Sequence, residues 1–351
     1  MLLPFIAVSQ GTATKNTEFK HQIDWDTTYI YKYKSKLIVG IFQSYRDYQI
    51  YIQPRTLPDS ASVSEVRWTA PSNQVTGIDL NFDKFGVSFG VKSVSRSDQI
   101  KTGTTSHFNL GFNFGGNRWL LETAYMSFKG FYDDATPTYD TNYSKSGVYT
   151  QNPELSNSFL KIKFWYISNH HKFAFKSGYG GMYRQLKTRS TFLFGGNIRF
   201  NDMYSGKSLI PAQMKKYYNN NVSINELSSV SLTAFAGAAV NLVVFKAFFM
   251  NMAFVFGPDF QSMSINSSNS TEIFKRSYVS LAGEFRFAMG INLKRMYYTV
   301  TNNTDFIRYI NQEVTMKNRL ISHSLNIGFR IGVHTPSFYR KFQDSKLYGL
   351  F

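Results

Sequence analysis

The sequence predicts an all-β fold: a single antiparallel barrel of about twelve strands, membrane-crossing, with short turns at one end and long loops at the other. Three observations carry this. The stretch Tyr278–Asn292 alternates without slipping. Val279, Leu281, Phe285, Phe287, Met289 and Ile291 form one row, and Ser280, Glu284, Arg286 and Asn292 stand on the other. A period of two is a strand, and this one is longer than the roughly 5–6 residues of a soluble strand. A tilted strand crosses a bilayer in about 9–11 residues, greasy outside and polar inside. Second, no run of about 18 apolar residues offers a transmembrane helix; the nearest, Phe235–Gly257, is broken by Asn241, Lys246 and Asn251. Third, 33 Phe and 23 Tyr in 351 residues favour strands, and the prolines fall outside the strands, with Pro258 just past one.

Taken in order, Leu2–Gln10 reads as the remnant of a signal peptide (residues 1–10) without a basic leader. Residues 11–35 read as a periplasmic lead-in. The barrel is expected over 36–334, beginning with Leu37–Ile52 and then, after a polar loop from Pro54 to Pro71, Val75–Phe82 and Val87–Ser95. In the latter pair Ile78, Leu80, Val87, Phe89 and Val91 face out; Asp79 and Lys92 face in. Phe108, Leu110, Phe112 and Phe114 make the next outer row, and the Gly115–Arg118 turn leads to Trp119–Phe128 with Glu122 inward.

A loop is expected over 131–155, then a strand over Asn157–Ser168 with Lys161 and Lys163 inward. Counting 169–188 as a strand would move later short links to the long-loop end, so this Gly-containing segment is predicted not to span, lying in the lumen or the periplasm. Arg189–Phe200 follows, with Phe192, Phe194, Ile198 and Phe200 out and Arg189 and Arg199 in. After a loop over 201–226 come Ser228–Leu242, Ala247–Gly257, the stretch 278–292, a shorter Met296–Asn302, and Leu320–Val333 with Phe329 outward and Arg330 inward. Residues 335–351 are a tail.

Gly77–Val91, Gln185–Gly195, the small-residue strand Ala234–Asn241 and Phe254–Pro258 together resemble an uncharacterised outer-membrane barrel family of Gram-negative bacteria, domain-of-unknown-function family 4421. The resemblance implies a barrel in the outer membrane and no reaction.

The formal charge of +17 is spread over strands and turns instead of gathered in an arm or helix. It points to lipid headgroups and solutes and not to nucleic acid. Cysteine is absent, which excludes disulfides and thiolate metal sites. The inward charges (Asp79, Lys92, Glu122, Lys161, Lys163, Arg189, Arg199, Glu284, Arg286 and Arg330) are three acids against seven bases. They support a channel for small anionic solutes through a basic lumen. The competing reading is a closed structural or assembly barrel whose interior charges pair and whose outer loops bind partners. A lipid-acting enzyme is a third reading: His323 has outward parity, but its outward neighbours Ile321 and Leu325 supply no nucleophile. His170-His171 lacks a third ligand, Asp133-Asp134 reads as solvated, and Gly178–Gly181 lacks the strand-to-helix context of a phosphate loop. No metal or cofactor is expected. Phe89, Phe112, Phe194, Phe285, Phe287 and Phe329 are expected to face lipid.

Overall fold

The computed structural model describes residues 25–54, 65–71, 74–93, 99–218, 223–267, 270–310, 314–345 and 348. The expected signal-peptide remnant lies outside them. Fifteen strands follow in order: β1 (Ile30–Lys32), β2 (Lys36–Pro54), β3 (Val66–Thr69), β4 (Gln74–Phe82), β5 (Phe85–Lys92), β6 (Ser106–Gly115), β7 (Trp119–Asp133), β8 (Thr150–Ile167), β9 (Tyr183–Gln185), β10 (Arg189–Tyr204), β11 (Ile224–Val244), β12 (Phe248–Ser267), β13 (Ser270–Asn292), β14 (Met296–Ile310) and β15 (Val314–Gly332). Twelve of them, all but β1, β3 and β9, form a ring of antiparallel neighbours that closes where β15 pairs with β2 from Val314↔Pro54 to Gly332↔Lys36. The fold is a transmembrane β-barrel.

The outer surface shows why the alternation is so regular. Ile41, Ile78, Phe89, Phe112, Phe164, Phe194, Ile198, Phe254, Leu281, Leu325 and Phe329 are all exposed, as an apolar band in contact with lipid requires. Phe285 and Phe287 share the outer row of β13 with Val279 and Ile291 and are half-covered by neighbours, Phe254 opposite Phe285 and Met252 opposite Phe287. Short turns join strands at one end, the periplasmic one, and the longer loops lie at the other.

The strands outrun the expected ones. β11, β12 and β13 have 21, 20 and 23 residues, twice what a bilayer needs, so the wall continues beyond the membrane. Much of what reads as loop at 131–155, 201–226 and after Pro258 is wall: β7 reaches Asp133, β8 starts at Thr150, β10 reaches Tyr204 and β14 reaches Ile310. Beyond the bilayer alternation is not enforced, and several polar side chains that suggested loops face inward. Asp133, expected to be solvated, is fully buried and accepts bonds from the Arg67 and Ala135 N–H groups and the Tyr139 hydroxyl, and Asn152 and Asn201 are buried too.

Proline placement also departs from expectation. Pro258 lies inside β12 opposite Leu281 of β13, but the β11 ladder skips it, resuming at Thr233↔Asp259 and Ala236↔Phe256. Its missing N–H costs a bond on that one side. Pro153 sits within β8 beside the bulge where the β7 register shifts between Lys129 and Phe131, and Pro54 ends β2. At the bulge Gly130 has φ +90° and a Cβ there would lie 2.1 Å from the Thr104 carbonyl oxygen; the extra residue flips the inward row from Phe128 to Phe131 and Asp133.

The polar loop expected between Pro54 and Pro71 contains β3. It runs collinear with β4 along β2, pairing Gln49–Ile52 on one edge and β7 residues Tyr132 and Asp133 on the other. β4, β5 and β6 are short, so at the outer end β3 bridges β2 directly to β7 and the barrel narrows.

Both ends are filled. Residues 169–188 contribute no barrel strand; β9 pairs with β1 in a separate two-stranded sheet. Phe173, Ala174, Phe175, Met182 and Tyr183 are buried in two inner apolar clusters with Leu120, Trp165, Leu193, Phe235 and Tyr297. At the outer end a larger cluster joins Tyr48, Ile50, Trp68, Phe128, Phe131, Phe159 and Tyr309 to Leu209, Ile210, Met214 and Tyr218 of the β10–β11 loop. The C-terminal helix Ser337–Gln343 folds against the inner rim, where Tyr339 and Tyr348 donate hydrogen bonds of 2.9 and 2.7 Å to Asp83 in the β4–β5 turn.

An arginine in the outer belt should be costly: Phe194→Arg is expected to destabilise the barrel in liposomes by about 2–4 kcal/mol in denaturant unfolding. Phe245→Arg, at a turn position 94% exposed, should change it little. A label at Lys145 or Lys216 should react on intact cells, whereas one at Lys246 should react only after permeabilisation. Burial pushes the Asp83 carboxyl up, but the Lys32 ammonium and hydrogen bonds from Lys32, Tyr348 and Tyr339 hold it below its ordinary value. Its contribution is therefore complete above the ordinary aspartate pKa and is lost as pH falls through the lowered one. Limited proteolysis should find the C-terminal segment protected at neutral pH and cleavable only under strong acid.

Candidate functional site: a polar chamber between two apolar layers

Between the filled ends lies a cavity of about 310 Å³, bounded by inward residues of β2, β4, β5, β6, β7, β8, β13, β14 and β15. Its alternation-driven lining is polar: Asn81, Ser88, Asn109, Asn113, Thr299, Thr301, Asn303, Ser322, Ser324 and Asn326. Strand parity delivers these side chains to one space because every wall strand is in register with both neighbours.

Charges from β7 and β8 and, facing them across the lumen, from β13 and β14 form one network. The Arg286 guanidinium forks onto Glu122 with bonds of 2.9 and 2.6 Å and donates a 2.5 Å bond to Glu284. Lys163 contacts Glu284, and Lys161 bridges Glu284 at 3.7 Å and Asp305. Arg199 reaches Asp305 at 3.1 Å from the next strand. The Trp165 indole N–H donates to Glu122 at 2.8 Å, and Arg286 lies over the Trp165 ring with 5.0 Å to its centroid. The inner apolar layer thus touches the network directly. Elsewhere on the wall Arg46 bonds the His107 ring at 2.7 Å, while the Asp79 carboxylate lines the cavity.

Of the ten inward charges that the sequence singles out, Asp79, Glu122, Lys161, Lys163, Glu284 and Arg286 line this chamber, and Arg199 adjoins it. The other three do not. Lys92 donates to the Thr105 carbonyl at the outer end of β5. Arg189, at the inner rim of β10, bonds the Tyr29 hydroxyl and stacks on its ring. Arg330 is buried at the inner end, where it clamps the 169–188 segment by donating bonds of 2.9 and 2.7 Å to the Gly181 carbonyl.

Sequence reasoning missed Asp305 and Arg46. Asp305 lies beyond the expected end of β14 at Asn302, although the inward parity of Thr301 and Asn303 continues to it. Arg46 sits in a strand with mixed faces. With these two added and three removed, Asp79, Glu122, Glu284 and Asp305 stand against Arg46, Lys161, Lys163, Arg199 and Arg286. The lumen charge is close to balanced. Among the described residues no group of three His, Asp or Glu side chains is placed to hold a metal ion.

The model of the family described as Domain of unknown function (DUF4421) matches residues 24–331. The chain belongs to this family. The match runs from just before β1 to the end of β15, so the family unit includes the 169–188 segment and the chamber as well as the wall. No curated protein matches the sequence. Among solved structures the family member is similar to the outer-membrane protease OmpT of Escherichia coli, with 7% identity, a TM-score of 0.41, and 86% of this chain and 98% of that one covered. It is also similar to an outer-membrane channel of Pseudomonas putida F1, with 9% identity, a TM-score of 0.33, and 87% and 99% covered. A third is the NanC porin, with 8% identity, a TM-score of 0.32, and 84% and 100% covered. Such a closed barrel, its apolar band outward, belongs to the bacterial outer membrane.

Breaking the Arg286–Glu122 pair should be far worse than deleting it. Glu122→Leu alone should cost about 3–5 kcal/mol because it leaves the buried guanidinium with its one bond to Glu284 and the Trp165 indole N–H without its acceptor, whereas Glu122→Leu with Arg286→Met should restore much of that. Denaturant unfolding of the two variants in detergent reads the difference.

Proposed function

We propose that this outer-membrane protein is a closed barrel that acts through its outer face, not a standing pore. The observation that carries the reading is the pair of apolar layers across the lumen. On the outer side the Tyr48 ring stacks on Phe128 at 4.5 Å and meets Phe159 at 6.2 Å. Its hydroxyl accepts bonds from Asn157 at 2.7 Å and Asn318 at 3.1 Å on two other strands. Trp68 donates to the Leu209 carbonyl at 2.8 Å and Tyr218 to that of Ile52 at 2.7 Å, tying the β10–β11 loop over the layer. On the inner side Trp165 packs 4.7 Å from Phe235 and 5.4 Å from Phe175.

The chamber charges favour the same reading. Paired, nearly balanced charges rigidify a barrel interior and do not create the one-signed field that draws anions inward. An anion-selective channel is the second reading, and one observation favours it: the chamber is polar and, at about 310 Å³, roomy enough for several waters. It requires both layers to move, because deleting the inner segment would leave the outer layer in place.

Planar-bilayer recording tests this. The purified protein should insert without steady conductance, and removal of residues 172–182 should not produce an open channel. A stable open level in the full-length protein, with anion selectivity, would reverse the assignment.

A further inference from the structure

The outer surface of β13, β14, β15 and β2 has a feature that a closed structural barrel does not need. Register places Arg308 directly opposite Lys317, Lys317 opposite Tyr51, and Arg319 opposite Phe306. All five side chains have outward parity, and with Leu281 and the carboxylate of Glu65 they surround a surface recess of about 440 Å³. Like charges facing each other across a ladder destabilise it, and among the described residues neither Arg308 nor Lys317 has an acidic partner. The acids nearby are already engaged. Glu65 and Asp134 bind Arg67 at 2.6 and 3.1 Å, and Asp47 lies 3.6 Å from Arg319, which also donates to Gln49. Among the described residues Arg67, Arg308, Lys317 and Arg319 thus stand against three carboxylates, Glu65, Asp134 and Asp47, and the cluster keeps a net positive charge centred on Arg308 and Lys317.

Its position gives that surplus a meaning. Leu281 is 68% and Phe306 41% exposed, and they continue the apolar belt formed by Val279 and Phe285. On β14 and β15 the cations stand on the loop side of the exposed Phe306, Val300 and Leu325, beside Leu281 of β13. A ligand matching both parts has phosphate on an acyl-chain body: phosphate oxygens between Arg308, Lys317 and Arg319, chains descending over Leu281 and Phe306. Arg suits such an anion because its planar fork presents parallel N–H donors.

We propose that this face is a binding site for a phosphate-bearing lipid of the outer leaflet. A soluble anion would gain nothing from the apolar half of the recess, and an uncharged lipid nothing from the cations.

Native mass spectrometry of the full-length, delipidated protein in detergent tests the site, with lipid A, dephosphorylated lipid A and inorganic phosphate as probes. Lipid A should form retained adducts, the dephosphorylated form should bind at least tenfold more weakly, and phosphate alone should not compete at equal concentration. Arg308→Gln with Lys317→Gln should weaken lipid A retention tenfold or more, Arg308→Lys should keep most of it, and Lys129→Gln, at an exposed cation on β7, should leave it unchanged. Heat-modifiable gel migration reports that each variant is a folded barrel. Equal retention of lipid A by the folded double variant, indifference to the phosphates, or full competition by inorganic phosphate would each overturn the proposal. The comparison of lipid A with its dephosphorylated form uses the unaltered protein, so it decides even if the double variant does not assemble.

Discussion

Everything in this molecule depends on closing the backbone hydrogen-bond ladder. Within hydrocarbon an unpaired N–H or C=O costs several kcal/mol, so a sheet can enter a bilayer only without edges. The long pairing of β15 with β2 removes the last edge. Local exceptions are placed where the loss is small: the Pro258 gap touches one ladder only, and the Gly130 bulge stands toward the outer end of β7 beside Thr104. Even the shortness of β4, β5 and β6 is handled this way, because β3 supplies a pairing partner to β2 and β7 above them.

Closure creates a second problem, an interior. A ring of twelve strands encloses more space than its own side chains fill. The chain fills it in layers: apolar at the outer end, polar and charged in the middle, apolar again at the inner end. Segments outside the ring contribute to the two end layers, the β10–β11 loop above and 169–188 below. The lower segment is held largely by side-chain bonds to main-chain carbonyls, with Arg330 on Gly181, Asn117 on Phe173, Asn241 on Ala174 and Lys176 on Gly115. That mode of attachment suits a segment without regular pairing of its own.

The middle layer is where charge pairing matters. Four of the network's members, Glu122, Lys163, Glu284 and Arg286, come from the adjacent strands β7 and β8 and from β13, which is distant in sequence and faces them across the lumen. Removing one partner is costly because the others cannot recover water. The outer surface shows the opposite situation: among the described residues Arg308 and Lys317 form no ion pair, so the same charge type reads as structure inside and as recognition outside.

By itself the sequence determined the fold class, the strand parity and the family. Lipid outside and polar groups inside impose a period of two on each spanning strand, and that constraint is written residue by residue, as in Val279–Ile291. Parity also delivered most of the chamber's charges. It did not determine the strand ends, since above the bilayer both faces tolerate polar residues; β14 therefore seemed to stop before Asp305, and β3 read as loop. Nor could it show whether the lumen is filled. Phe173 and Phe175 carry no periodic signal, and their burial depends on Trp165, Leu193 and Phe235 arriving from other strands. The pairing of Arg286 with Glu122 and the facing of Arg308 by Lys317 were likewise decided only by tertiary structure, because register between strands sets which charges meet.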